Sequence, residues 1–487
     1  MPSPALGSQP SEEAGVTRRS TELLMTAFAL AIVALAFVTV AFSLKGQHPS
    51  TIIEYLIAYS AIITGAHLAV RKFAPYADPL LLPIATLLNG LGLVMIYRLN
   101  QAGRNGNSGA PGVNGSPVPI STLGSSATVT QVIYTVLGVA VFVLFLWLIK
   151  DIKVLQPYTY VLGLAGLVLI ALPALLPASI SGVADTSAKI QIDIGGFSVQ
   201  PEEFGKLLLA ASFASYLMEH GQQLSLLTDK WLFFKMPRRK DLAPIFVVWA
   251  ISMLVLIFEG DIGTSAVFMG LFVAMLYVAT GRRSWAILGF IMFLIGALAA
   301  ATLVSHVGQR FSIWLHPFSY DNLVNHDLGQ PAYQTAQGLY GMANGGLLGR
   351  GLGGGQPFWT PLVQSDLIFT AFGEELGLAG VMALLLLYGL LVQRGLRTAL
   401  LAKDEYSKLL SSGLSFMFAL QVFVIVGGVT RVIPLTGITT PFLSLGGSSL
   451  VACWLLVAAI ARMCDTARRP APRPIQDEGM TQVVSLR

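Results

Sequence analysis

Residues 23–42 read LLMTAFALAIVALAFVTVAF, an unbroken stretch with no charge and only Thr26 and Thr39 to interrupt its apolar character. A helix needs roughly 20 apolar residues to cross the hydrocarbon core of a bilayer, so this stretch sets the class of fold. It follows Arg18 and Arg19 as the core of a signal peptide would. It exceeds the roughly 7 to 15 residues of such a core, however, and comparable runs follow it, so it reads as a membrane helix.

Segments near that length begin close to residues 22, 51, 79, 130, 156, 201, 243, 262, 284, 366, 407 and 440, which predicts an all-α polytopic protein of about 12 transmembrane helices. The composition agrees, since 54% of the 487 residues are apolar and 11% charged, against roughly 25% charged in soluble domains. The lipid bilayer is therefore the main solvent. The net charge of +5 does not point to nucleic acid, because the 30 Lys and Arg sit in short clusters between apolar runs. With the N-terminus inside, the outer loops hold only Lys45, Arg98, Arg104, Lys189, Arg310, Arg350 and Arg431, and Lys206 lies within a span. All other cations fall on the inner side, as the positive-inside rule requires, and both termini are expected in the cytoplasm. Two cysteines, Cys453 and Cys464, lie inside and at the end of one apolar run and build neither a disulfide framework nor a paired-cysteine metal site.

Between the spans, the Gly-, Ser- and Asn-rich stretch 100–126 is expected to be a flexible outer loop. The long outer segment 305–364 carries Trp314, Phe318, Tyr320, Tyr333, Tyr340 and Trp359 and is expected to be ordered and to lie against the membrane, with a short interfacial helix over 333–348. The tail after Ala467 is rich in Pro and charge and is expected to be disordered. No internal repeat is visible, which weighs against inverted-repeat transporter folds.

An ionisable residue in or beside a span is costly and is a functional hypothesis by default. By the topology above, such residues gather on the outer side. Pro201 opens a span, Glu202 and Glu203 follow it at the positive end of the helix dipole, and Glu203 shares a face with Lys206; a plain helix start with a local ion pair explains this equally well. Glu259 and Asp261 form a tight outer hairpin in which Asp261 can act as a helix cap. Asp366 heads a span, and Glu374 and Glu375 lie about 12 Å deeper at 1.5 Å per residue. Arg310 and Arg431 are outer cations, and Pro434, Gly437, Pro441, Ser444, Gly446, Gly447, Ser448 and Ser449 make a small-residue entry to the last span. Cations mixed with carboxylates suit a phosphorylated or glycosidic substrate, the cations on phosphate oxygens and a carboxylate as base.

Two further patterns carry little. Gly349, Gly351 and Gly354 spell a dinucleotide fingerprint without the strand and helix it needs. His306, His316 and His326 share the outer loop with Asp321 and Asp327, but no pair has zinc-ligand spacing.

The outer-side residues resemble the SEDS family of shape, elongation, division and sporulation proteins, to which RodA, FtsW and SpoVE belong. Gln200–Lys206 (QPEEFGK) resembles the family's QPSExxK, with Glu202 in place of Ser or Gly and with Glu203 and Lys206 matching. Gly260–Thr264 resembles PDLGT, and Ser365–Phe369 with Gly373–Gly377 resembles TDFIF followed by GEELG. Pro434–Gly437 and Pro441–Ser449 complete five motifs in the family's order, with Leu445, Ile425 and Arg431 where Tyr, Asn and Gly are common. The resemblance covers roughly residues 79–465 and implies a ten-helix core, with an added N-terminal part over 1–78 that includes two further spans and a tail over 466–487.

What the resemblance implies is a RodA-like glycosyl transfer at the outer face of the bacterial cytoplasmic membrane, in elongation or division. The sugar 4-hydroxyl of one lipid II attacks the anomeric carbon of a chain whose undecaprenyl pyrophosphate leaves. A loop aspartate is the expected base. Asp321 keeps the proximity to Trp314 and Pro317, Asp327 keeps the spacing to Tyr333 as if an insertion separated two halves of the motif, and Asp321 is preferred. Lys206, Arg310 and Arg431 are the expected pyrophosphate cations, with Glu203, Asp261, Asp366, Glu374, Glu375 and Ser448 in support. A class B penicillin-binding protein is the expected partner, no cofactor is specified by the motifs, and a loosely held divalent cation, magnesium or manganese, is compatible. A lipid II flippase or other lipid carrier is the competing reading, and a non-catalytic scaffold the third; a base in an outer loop is what separates the enzyme from both.

Overall fold

The computed structural model describes residues 17–43, 49–104, 127–176, 192–194, 197–225, 229–231, 234–236, 246–247, 249–250, 262–319 and 329–470. The described residues are almost wholly helical. Its helices are α1 (Arg19–Ser43), α2 (Pro49–Phe73), α3 (Leu81–Arg104), α4 (Ala127–Leu148), α5 (Thr159–Leu175), α6 (Glu202–Ser225), α7 (Ile262–Thr280), α8 (Arg283–Leu303), α9 (Ser305–Leu315), α10 (Gly329–Gly345), α11 (Ile368–Leu401), α12 (Glu405–Val429) and α13 (Gly447–Arg468). A 3₁₀ segment, Ile152–Tyr158, leads into α5 under the Asp151 carboxylate, which accepts from Lys153 N at 3.1 Å. Two small antiparallel hairpins depart from the all-helical expectation, β1 (Ile192–Ile194) with β2 (Phe197–Val199) and β3 (Asp229–Trp231) with β4 (Phe234–Met236).

Ten helical segments among the described residues are long and apolar enough to cross a membrane. The stretch 23–42 is the first of them, within α1. Of the twelve expected spans, α6 has the length but is more polar than these ten, because it carries Glu202, Glu203, Lys206 and Glu219. The span expected from residue 243 lies largely outside the described residues. The flexible loop expected over 100–126 is partly helix, since α3 runs on to Arg104, and 105–126 lie outside the described residues, as do 471–487 of the tail.

Burial sorts the helices. α3, α12 and α13 are enclosed over most of their length, whereas α8 presents Ile287, Phe290, Ile295 and Leu298 to the exterior. The enclosed helices are cemented by aromatic and small residues: Trp454 of α13 meets Phe142 of α4 at 5.6 Å and Phe442 at 5.8 Å, edge to face. The Trp454 indole N–H donates to Asn89 of α3 at 3.2 Å, which satisfies both polar groups in an apolar interior.

At the end where α2 passes to α3, buried charges are paired. Asp465 accepts from Tyr76 N at 2.8 Å and from Arg469 at 2.6 Å, and Asp78 accepts from Arg468 at 2.8 Å. Arg19 bonds Glu22, whose other oxygen meets His67 at 2.9 Å. A buried charge persists only with such partners. This end collects the arginines of the expected cytoplasmic face; the polar residues of interest lie at the other.

Candidate active site

At that other end α3 terminates and α6, α7, α11 and α13 begin. The feature that organises it is a break in α11. Gly377, the last residue of Gly373-Glu374-Glu375-Leu376-Gly377, has φ 68° and ψ −171°, a conformation that only glycine adopts without strain. The helix is interrupted there, and its free backbone groups are taken up by the Gly-rich segment that precedes it. Arg350 N donates to Glu374 O at 3.1 Å, Gly351 N to Glu375 O at 2.9 Å, Leu378 N to Gly346 O at 2.9 Å and Ala379 N to Leu347 O at 3.0 Å. Non-helical backbone inside a membrane protein is tolerated where it is enclosed and bonded in this way. The segment that mimics a dinucleotide fingerprint thus wraps a broken helix, with φ of 78° at Gly349 and 86° at Gly351 of the fingerprint itself and 84° at the intervening Gly353.

The same loop holds both glutamates. Glu375 is fully buried; its Oε1 accepts from Arg98 Nε at 3.1 Å and its Oε2 from Gly353 N at 2.9 Å. Arg98 Nη2 donates onward to Gly355 O at 2.9 Å and to Gly353 O at 3.3 Å. Glu374 Oε1 accepts from Gln356 N at 2.9 Å. Sequence reasoning counted Arg98 only as an outer cation. The signal that could have singled it out is a lone arginine near the end of an apolar span, which must find an acidic partner.

The segment 434–449 forms the hub of this end. Its Ser444 hydroxyl accepts from Thr440 N at 2.8 Å and donates to Ser365 O at 2.5 Å, while Leu445 N donates to Gln364 O at 2.8 Å. Gln131 of α4 donates to Ser444 O at 3.2 Å, and Tyr388 of α11 to Pro441 O at 2.6 Å. The segment lies so close to α3 that a Cβ on Gly92 would come 2.6 Å from Phe442 O. These contacts fix the N-terminus of α13, where Ser448 Oγ accepts from Gln200 N at 2.8 Å.

Gln200 leads directly into Glu203 and Lys206 of α6, which are buried and joined at 2.9 Å. On the other side of the hub, Arg310 of α9 donates to Thr436 O at 2.6 Å. A Cβ on Gly437 would sit 3.5 Å from Asp366 Oδ2 and 3.6 Å from Arg310 Nη2, so both ionic groups lie beside this glycine. Arg431 is differently engaged. With φ 62°, it turns its guanidinium to Trp314 O at 2.7 Å and Leu315 O at 2.8 Å, while Trp314 Nε1 donates to Arg431 O at 3.1 Å. Its planar fork caps the last carbonyls of α9.

The outer segment contains α9 and α10, the latter beginning at Gly329 where a helix was expected from 333. Phe318 and Tyr340 meet at 5.5 Å. Burial raises the Tyr333 phenol above its usual value of 10.0, with a hydrogen bond to Gln337 opposing. The base candidates Asp321 and Asp327, together with Asp261, lie outside the described residues. Lys206, Glu203, Ser448, Arg310, Asp366, Glu374 and Glu375 are thus gathered around two adjoining loops at one end of the bundle.

The family model of the cell cycle proteins FtsW, RodA and SpoVE matches residues 78–469. The chain belongs to this family. A peptidoglycan glycosyltransferase RodA of Mycobacterium tuberculosis is 43% identical over 455 residues, which span 93% of this chain and 92% of the relative. Among solved structures, a chain from a peptidoglycan synthase complex covers 80% of this chain and 98% of its own length at 24% identity and a TM-score of 0.58. Thermus thermophilus RodA covers 81% of this chain and 98% of its own at 21% identity and a TM-score of 0.52. Both structures share the fold.

Proposed function

We propose that this protein is a peptidoglycan glycosyltransferase that polymerises lipid II at the outer face of the bacterial cytoplasmic membrane. The observation that supports this best is the convergence, at one end of an apolar bundle, of two buried ion pairs and of a third cation and carboxylate beside one glycine: Glu203–Lys206 at 2.9 Å, Arg98–Glu375 at 3.1 Å, and Arg310 and Asp366 at Gly437. In glycosyl transfer the anomeric carbon becomes positive and the departing pyrophosphate negative, and preorganised groups of the opposite sign lower that barrier. Lys206 and Arg310 serve the pyrophosphate, Glu203 holds Lys206 in place, and Glu374 and Glu375 support the loop. A carboxylate of the outer segment, Asp321 or Asp327, takes the proton of the attacking 4-hydroxyl, with Asp321 preferred. Arg431 acts on the pyrophosphate only if it leaves the α9 carbonyls.

The lipid tail reaches this end from the bilayer, and both termini are cytoplasmic in this reading. A class B penicillin-binding protein is the proposed partner, and elongation rather than division the proposed setting. A divalent cation in this reading is carried chiefly by the pyrophosphate, as magnesium is on substrate phosphates.

The test is glycan polymerisation from purified lipid II by the protein in proteoliposomes, alone and with its transpeptidase, with and without EDTA. Polymer in any of these conditions supports the enzyme. Transfer of labelled lipid II across the bilayer without polymer supports a flippase instead.

A further inference from the structure

The α1–α2 hairpin lies outside the part of the chain that the family model matches, and the proposed chemistry gives it no task. Besides the inner-end network of Arg19, Glu22 and His67, one group of its contacts lies at the outer end. Phe37 of α1 and Tyr55 of α2 both pack on the ring of Tyr97 in α3, at 5.6 and 5.8 Å, edge to face in each case. Tyr97 immediately precedes Arg98, the partner of Glu375. The last residue of α1, Ser43, reaches the Gly-rich loop, where its hydroxyl lies 2.8 Å from Leu352 O and 3.0 Å from Thr39 O of its own helix. Leu352 immediately precedes Gly353, whose N–H binds Glu375 Oε2 and whose carbonyl accepts from Arg98. A Cβ on Gly353 would lie 2.6 Å from Ser43 Cβ, so loop and helix end are in direct contact.

We infer that the α1–α2 hairpin is a positioning element for the Arg98–Glu375 pair, with Ser43 fixing the loop side and Phe37 and Tyr55 fixing the helix side. A guanidinium and a carboxylate buried together stay paired only if both backbones that carry them are held; α11 bonds the glycine loop from one side, through Arg350, Gly351 and Gly353, and Ser43 meets it from the other. The hairpin supplies the wall on which that loop rests. Ser43 touches no reacting group in this arrangement; it acts through Leu352 and Gly353. The inference rests on the glycosyltransferase reading above.

The test is a double-mutant cycle on lipid II polymerisation by the full-length protein, with kcat and KM measured for wild type, Ser43→Ala, Glu375→Gln and the double variant. Ser43 is exposed, so Ser43→Ala is expected to fold, with a Tm in detergent within about 2 °C of wild type. Its kcat is expected to fall about three- to ten-fold, the range of one hydrogen bond, with KM unchanged. Glu375→Gln is expected to lose more, and the double variant no more than about two-fold beyond it, because the two changes act on one unit. Phe37→Leu, acting from the other side through Tyr97, is expected to show the same dependence on Glu375. An undiminished kcat in Ser43→Ala overturns the inference, as does a double variant whose loss is the product of the single losses. Wild type that makes no polymer overturns the glycosyltransferase reading and this inference with it.

Discussion

Glu375 and Arg98 stand 277 positions apart in the chain and 3.1 Å apart in the fold, with neither side chain open to solvent. Removing one partner leaves the other charged, buried and unmatched, at a cost of about 3–5 kcal/mol, whereas replacing both by apolar residues of similar size costs far less. Thermal unfolding in detergent should therefore show Arg98→Met and Glu375→Leu each markedly destabilised, and the double variant closer to wild type than either. Equal or additive losses would show that the pair is not a unit. Arg431 makes a different prediction. Because it bonds two carbonyls at an exposed helix end, Arg431→Ala should cost about 1 kcal/mol or less in stability and weaken polymerisation only a few-fold, as measured by melting and by initial rate. A loss as large as that of Lys206→Ala would instead assign Arg431 to the substrate. The glutamate at 375 was legible in the sequence because a carboxylate two turns inside an apolar span has few ordinary explanations. Its partner was not, since nothing local in the run around Arg98 says which of several carboxylates it will meet.

At the scale of elements, the break in α11 is the clearest departure from what the sequence suggests. An apolar run with interspersed glycines reads as one straight span, and Gly377 looks no different from Gly389 in the same helix. Their surroundings separate them: Gly389 has open space around its Cα, while Gly377 sits at φ 68° against the backbone of Leu347, Leu348 and Gly349. Gly389→Ala should be neutral or slightly stabilising, since alanine is the better helix former by about 1 kcal/mol. Gly377→Ala should be poorly folded, with reduced yield and a lower melting temperature by fluorescence-detected size exclusion. Comparable behaviour of the two variants would mean that α11 is continuous. The segment 434–449 was recognisable from its small residues as a place of close approach. Its role as a hub was not, because beside the Ser444 hydroxyl it is made by backbone carbonyls of Thr436, Pro441 and Ser444 that any sequence possesses.

For the whole molecule, the long apolar runs sufficed to read a polytopic helical bundle, since the bilayer imposes one solution on such segments. The inner-end network of Asp78, Asp465, Arg462 and Arg468 follows the positive-inside bias in general but not in its pairings, which depend on how α13 lies against the α2–α3 connection. The proposed chemistry depends on the segment between α9 and α10, where Asp321 and Asp327 compete for one role beyond the described residues. The most direct measurement is lipid II polymerisation by the reconstituted protein with its transpeptidase, comparing wild type with Asp321→Ala and Asp327→Ala at matched folding. The account predicts polymer from wild type, a loss of about 10²- to 10⁴-fold in Asp321→Ala, the range of a general base, and a far smaller loss in Asp327→Ala. Undiminished polymerisation in both variants would contradict it.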